Sequence, residues 1–276
     1  MKNYTLNRNG QLLDLTEPTV MGILNVTPDS FFAESRKQSE HDIAQRAKQI
    51  IDEGASFIDV GACSTRPGST PIDEAGEMER LRMALPIVRE VIDHAASDRS
   101  QPIALSIDTF RPDVARMCVE EFGANIINDV SEGDEAMFRM VARMGVAYVL
   151  MSIQRDLKTT LLTFAEKVQQ LRDFGQKDII LDPGFGFGKT VDENFTFFGE
   201  MEKLQVLELP LLVGISRKSM IWKTFACTPD EALNGTTALN ALALTKGADI
   251  LRVHDVKQAV ECCRLWKLCS PSSHNN

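Results

Sequence analysis

The sequence predicts a (β/α)8 barrel, and three observations carry that expectation. Eight short apolar runs rich in Val, Ile and Leu recur at 20–26, 57–60, 103–107, 125–127, 147–151, 178–181, 211–215 and 250–253. Most follow a helical length of chain that ends in a glycine (Gly54, Gly123, Gly145, Gly175, Gly247), the residue suited to a left-handed helix C-cap that feeds the next strand. Each run stops at polar residues: Asn25, Asp59, Asp108, Asn128, Asp182, the segment 216–219, and Arg252 with His254. Strands this apolar are buried on both faces, as in a parallel sheet covered by helices. Functional groups of a barrel gather where strands lead into helices, so the polar ends point to one shared active face. A doubly wound open sheet is the competing architecture, and it too binds ligands at the carboxyl ends of its strands.

In chain order, 4–6 and 11–15 flank Arg8-Asn9-Gly10, and Asn-Gly is the strongest short hairpin signal. A hairpin over about 1–16 is therefore expected to close the barrel floor. The eight strand-helix units follow. Residues 270–276 are polar, include Pro271, and read as a loose tail. The 276 residues, 43% of them hydrophobic, suit one barrel of about 250 residues with a short extension, so a single domain over 1–276 is expected.

A net charge of −9 without a long basic run argues against nucleic acid or an anionic membrane as the main partner. An anionic substrate is still allowed, because fixed local donors outweigh screened distant charge. The six cysteines show neither CxxC spacing nor a histidine pair suited to zinc. The start of the chain is polar and no apolar stretch reaches the roughly 18 residues of a membrane span, so a cytoplasmic protein is expected.

Asp182-Pro183-Gly184-Phe185-Gly186-Phe187-Gly188-Lys189 looks at first like a phosphate loop. A Walker A loop needs four residues between its first glycine and the glycine before lysine, and here three separate Gly184 from Gly188. Strict alternation of the glycines also breaks GxGxxG. What remains is either an ordinary turn or a loop that lets a planar ligand approach, with Phe187 as a wall. Asp108, Asn128 and Asp182 end three strands, and burying them without partners would be costly. Each could cap the following helix; together at one mouth they suit the edge of a nitrogen heterocycle. The basic set is Arg66, Lys218 and Arg252 with His254. Arg252 and His254 are two apart, a spacing that on a strand puts both side chains on one side to grip an anion. Lys218 alone could be a surface lysine, and His41, His94 and His274 read as solvated.

Taken together, these segments resemble the dihydropteroate synthase family of the folate pathway. The resemblance runs from Met21 to Asp255 through Gly22-Ile23-Leu24-Asn25-Val26-Thr27-Pro28-Asp29-Ser30-Phe31, Ser64-Thr65-Arg66-Pro67-Gly68, Ser106-Ile107-Asp108-Thr109, Asn128-Asp129-Val130, the 182–189 segment, Gly214-Ile215-Ser216-Arg217-Lys218-Ser219 and Arg252-Val253-His254-Asp255. It implies a (β/α)8 barrel that condenses 6-hydroxymethyl-7,8-dihydropterin diphosphate with p-aminobenzoate. By the same resemblance Asp108, Asn128, Asp182 and Lys218 line the pterin pocket, with Met151 and Phe187 as apolar walls. Asn25, Arg66, Arg252 and His254 hold the diphosphate, and Asn25 also contacts Mg²⁺. Phe31, Pro67, Lys218 and Ser219 form the p-aminobenzoate site, which sulfonamides mimic in this family, and Thr65 joins the substrate-binding set beside Arg66. The catalytic set is Asp108, Asp182, Lys218, Arg252 and His254.

An SN1-like route fits the absence of an evident nucleophile or strong base, because an aromatic amine is neutral at pH 7 and the harder step is breaking the carbon–oxygen bond. Closure of the loops after the first two strands would exclude water from the cation. Three departures stand out: the first loop lacks glycines after Phe31, Cys63 stands where a glutamate is common, and Ser152 where a histidine is common. A pterin-dependent methyltransferase, a Lys218 Schiff-base aldolase and a pterin-binding paralogue without turnover are the alternatives. A homodimer is compatible with the apolar content of 234–244 and 262–268.

Overall fold

The computed structural model describes residues 4–8, 10–26, 36–63, 72–96 and 102–270. Strands β1 (Thr5–Arg8) and β2 (Gln11–Asp14) pair antiparallel from Thr5↔Asp14 to Arg8↔Gln11. The expected hairpin therefore forms, with Gly10 at φ 84° and its N–H bonded to Asn7 Oδ1 (2.8 Å).

The barrel strands are β3 (Thr19–Asn25), β4 (Phe57–Gly61), β5 (Ala104–Asp108), β6 (Ile126–Asp129), β7 (Ala147–Met151), β8 (Ile179–Asp182), β9 (Leu212–Val213) and β10 (Ile250–Val253). All pair in parallel, in the order β8-β7-β6-β5-β4-β3-β10-β9. The ring closes between β8 and β9 through one bridge, Leu181↔Leu211, next to which Leu181 N–H donates to Pro210 O (2.8 Å). This near-closed barrel bears out the predicted class and excludes the open sheet. The seventh run, expected over 211–215, keeps only two residues as strand; by Ile215 the chain is already turning, its carbonyl accepting from Lys218 N–H (3.2 Å).

Around the barrel lie α1 (Arg36–Asp52), α2 (Glu74–Ala95), α3 (Pro112–Phe122), α4 (Glu135–Met144), α5 (Leu157–Asp173), α6 (Val191–Glu200), α7 (Ser219–Thr224), α8 (Leu233–Thr245) and α9 (Val256–Cys269). The predicted glycine stops are real at α3 and α4, where Gly123 and Gly145 are left-handed C-caps. No helix among the described residues is long and apolar enough to cross a membrane.

Strand alternation sorts the core into two layers. Ile58, Val60, Leu105, Ile107, Tyr148, Leu150, Leu251 and Val253 belong to the layer beneath the helices. Met21, Phe57, Ala104, Ile126, Ala147, Ile180, Leu212 and Ile250, one from every barrel strand, fill the interior and are capped from below by Leu6, Leu13 and Leu15 of the hairpin region. In five of the strands the inward position two residues further along is where polarity begins: Asp59, Ser106, Asn128, Asp182 and Arg252. The apolar floor thus places a polar second storey inside the barrel.

Candidate active site

Asp59 is fully buried in that second storey. Its Oδ1 accepts from Ser106 Oγ (2.6 Å), and its Oδ2 accepts from Arg252 Nε (2.7 Å) and Asn128 Nδ2 (3.0 Å). Arg252 also donates from Nη2 to Asp108 Oδ2 (2.5 Å), so one guanidinium joins two carboxylates. Asn128 is 1% exposed, and its Oδ1 has no hydrogen-bond partner among the described residues. A buried acceptor left open costs about 1–3 kcal/mol, which a bound donor would recover.

The rim lies above this network. Gly61, at the end of β4, leaves space beside both Asn25 and Asp108: a Cβ there would stand 3.5 Å from Asn25 Oδ1 and 3.6 Å from Asp108 Oδ2. Asp182 receives the Gly184 N–H on Oδ1 (2.7 Å). The loop after it needs its glycines at the closest approach, since a Cβ on Gly184, at φ 65°, would sit 2.0 Å from Ser152 O. Phe185 points down and packs edge-on against Phe197 (5.8 Å between centroids), while Phe187 stays half-buried under Lys218 Nζ (4.6 Å to its centroid). The ammonium of Lys218 also reaches Phe185 O, and its stem passes over Gly186. Lys189 fixes the same loop from behind, donating to the carbonyls of Pro183 and Gly184 (3.1 Å each). Across the mouth, His254 Nδ1 meets Ser216 Oγ at 3.1 Å, and Arg46 of α1 ties His254 O (2.6 Å) to the end of β3.

Burial governs the charges. It pushes the Asp108 carboxyl up to about 7 against the pull of Arg252, with Asp59, Glu77 and Asp129 adding to the rise. Burial likewise raises Asp182, which Lys218 partly offsets. Lys218 and Lys189 are each pulled down to about 8 by burial, against the opposing effect of Asp182. For Arg252, burial works downward, but Asp59 and Asp108 outweigh it and hold the guanidinium above the usual arginine range. The result is a largely buried cluster of hydrogen-bonding carboxyl, amide and ammonium groups, suited to a flat, nitrogen-rich ligand.

The family model for pterin-binding enzymes matches residues 21–254. The chain belongs to the pterin-binding enzyme family. It is 37% identical to a dihydropteroate synthase of Escherichia coli K12 over 96% of each chain, and 37% identical to that of Bacillus subtilis over 89% of this chain and 86% of the relative. Among solved structures, Xanthomonas albilineans dihydropteroate synthase with 4-aminobenzoic acid superposes with a TM-score of 0.86 at 32% identity, covering 98% of this chain and 100% of that one.

In this pterin-binding enzyme the structure brings together Asp108, Asn128, Met151, Asp182, Phe187, Lys218 and Arg252 at one end of the barrel, with Asn25, Ser219 and His254 at neighbouring strand ends. Phe31, Thr65, Arg66 and Pro67 lie outside the described residues, as does most of the unusual first loop. Arg252 and His254 do not share one contact: the arginine is engaged inward by two aspartates, and the histidine is engaged by Ser216. Ser152 is fully buried and pins a turn through Gln154 N–H (3.2 Å) and Glu132 Oε1 (3.4 Å). Sequence reasoning marked Asp59 as a strand-end polar group without a role. It named Ser106, Ser216 and Lys189 only within longer segments, without a supporting role, and did not name Arg46. Inward alternation with Asp59 could have marked Ser106, whereas nothing local marks Arg46.

Proposed function

We propose that this enzyme joins 6-hydroxymethyl-7,8-dihydropterin diphosphate to p-aminobenzoate, giving 7,8-dihydropteroate and pyrophosphate, the dihydropteroate synthase reaction of folate synthesis. The observation that carries the reading is the row of part-buried Asp108 with buried Asn128 and Asp182, in which an acceptor of Asn128 has no hydrogen-bond partner among the described residues. That polarity suits the N–H edge of a pterin. The relatives, matched over nearly the whole chain, are dihydropteroate synthases.

In this mechanism Asp108, Asn128 and Asp182 hold the pterin ring, with Met151 and Phe187 as walls. Lys218 lies between the pterin and the amine, and Ser219, at the start of α7, belongs to the amine site with Phe31 and Pro67. His254, with Nδ1 at Ser216 Oγ, belongs to the diphosphate site with Asn25, Thr65, Arg66 and Arg252. The exocyclic carbon–oxygen bond breaks with its electron pair leaving on diphosphate. Asp108 and Asp182 stabilise the cation spread over the pterin, the amine lone pair forms the carbon–nitrogen bond, and the surplus amine proton leaves to solvent.

Bound Mg²⁺ would neutralise charge on the departing diphosphate. Asn25 fits that ion, since amide and carboxylate oxygens are hard donors and Asn25 Oδ1 and Asp108 Oδ2 both stand within 3.6 Å of the point a Cβ on Gly61 would occupy. Among the described residues no three His, Cys, Asp or Glu side chains cluster as metal ligands, so the remaining donors would be diphosphate and water.

The reaction is assigned to the cytoplasm, which suits the free thiols of Cys63, Cys118, Cys227, Cys262, Cys263 and Cys269. A homodimer is proposed on the exposed Phe225, Leu242, Leu265 and Leu268, and sedimentation velocity tests it. The deciding assay is pyrophosphate release from dihydropterin diphosphate and Mg²⁺, with and without p-aminobenzoate. Amine-dependent release with formation of dihydropteroate is expected. Pterin binding without release would instead mean a silent paralogue.

A further inference from the structure

We infer that Asp59 is a positioning residue that sets the donor–acceptor polarity of Asn128 and so decides which edge of the pterin the enzyme reads. The inference rests on the proposed role of Asn128 as a ligand contact. Asp59 has no exposed surface, so it acts through other residues.

The chemistry of the contact fixes the orientation. A carboxylate accepts hydrogen bonds and, when ionised, donates none. Asp59 is surrounded by donors from three other strands: the Ser106 hydroxyl, the Arg252 guanidinium and the Asn128 side chain. Asn128 must therefore turn its NH₂ toward Asp59, at 3.0 Å, and its carbonyl oxygen away. That oxygen is the one left buried and unpartnered. It can take only an N–H or O–H from a ligand. An asparagine at 59 would keep its oxygen under Arg252 Nε, which can only donate, and so would hold Asn128 as it is; with no acceptor at 59, Asn128 could turn over and present NH₂ to the ligand instead. The same carboxylate occupies Nε of Arg252 while Asp108 occupies Nη2, so the guanidinium plane is held at two corners. Through one buried charge, Asp59 thus aligns two residues assigned to the substrate without touching it.

The test compares Asp59→Ala, Asn128→Ala, their combination and the exchange Asp59→Ala/Asn128→Asp, which keeps the total charge and, because a carboxylate only accepts, restores an acceptor facing the ligand whichever way residue 128 turns. Binding of 6-hydroxymethyl-7,8-dihydropterin is measured by calorimetry, and KM for p-aminobenzoate by the coupled assay. Asp59→Ala is expected to weaken pterin binding roughly 10- to 100-fold, the scale of one or two hydrogen bonds, with the amine KM nearly unchanged. Adding Asn128→Ala to Asp59→Ala should cost little more, because the two positions act together. The exchange variant should regain at least about tenfold, as expected for a restored hydrogen bond.

If wild type binds pterin and Asp59→Ala binds equally well, the inference fails while the functional reading stands. If wild type does not bind pterin, both fall. Should Asp59→Ala not fold, the exchange variant decides: folded protein that binds within about tenfold of wild type supports the inference, and folded protein as weak as Asn128→Ala overturns it.

Discussion

Asp108 shares one guanidinium with Asp59 inside the barrel, and its carboxyl is pushed up to about 7, chiefly by burial. A carboxyl whose folded value lies above its ordinary 3.8 binds its proton better in the folded state. Its contribution to stability is therefore complete below about pH 4 and lost as pH climbs toward 7. Asp108→Asn should flatten the fall in Tm of the ligand-free enzyme across that window. Parallel Tm curves for the two proteins between pH 4.5 and 7.5 would count against this. Arg252→Ala removes the cation between two buried carboxylates and should cost about 3–5 kcal/mol in urea unfolding. A loss below about 1 kcal/mol would mean that the aspartates do not depend on it. Asp108, Asn128 and Asp182 were legible in the sequence because each ends an apolar run, where an unpaired polar group is costly. The partners of Asp59 were not, since pairing across strands depends on a register that no local pattern states.

At the scale of elements, the 182–189 loop is shaped by close approach of backbone to backbone. Gly184→Ala would combine a left-handed backbone, costing about 1–2 kcal/mol, with a Cβ 2.0 Å from Ser152 O. Pterin binding should fall at least about tenfold as the loop shifts away from Asp182. Gly199→Ala, at a position in α6 with nothing within 4 Å, should be neutral or stabilise by up to about 1 kcal/mol. Equal effects of the two substitutions on binding and urea unfolding would refute the loop argument. All eight strands could be read from their apolar runs, and the glycine stops of α3 and α4 from sequence alone. The shortening of β9 could not. Arg217, left-handed at φ 54°, is held there by paired bonds to Asp255 (2.8 Å each), a contact 38 residues distant in sequence.

On the scale of the whole molecule, the ring of strands resembles a cask whose hoop is thinnest at one joint. Between β8 and β9 a single bridge stands where other neighbours share longer ladders, and Pro210 has no N–H to add. The ammonium of Lys218 crosses the top of that joint to Phe185 O, so a residue assigned to the substrates also acts as a latch. Amides of Leu212 and Val213 should exchange with deuterium faster than those of 105–107, and Lys218→Ala should speed them further. Uniform exchange around the ring would show that the joint is as firm as the rest. With the joint there, the arc carrying Asp108 and Asn128 is a fixed template, and the arc carrying Lys218 and Ser219 has slack. Inherited changes that alter which amine or amine mimic is accepted should therefore accumulate on the slack side, where the shape can drift without loss of the ring.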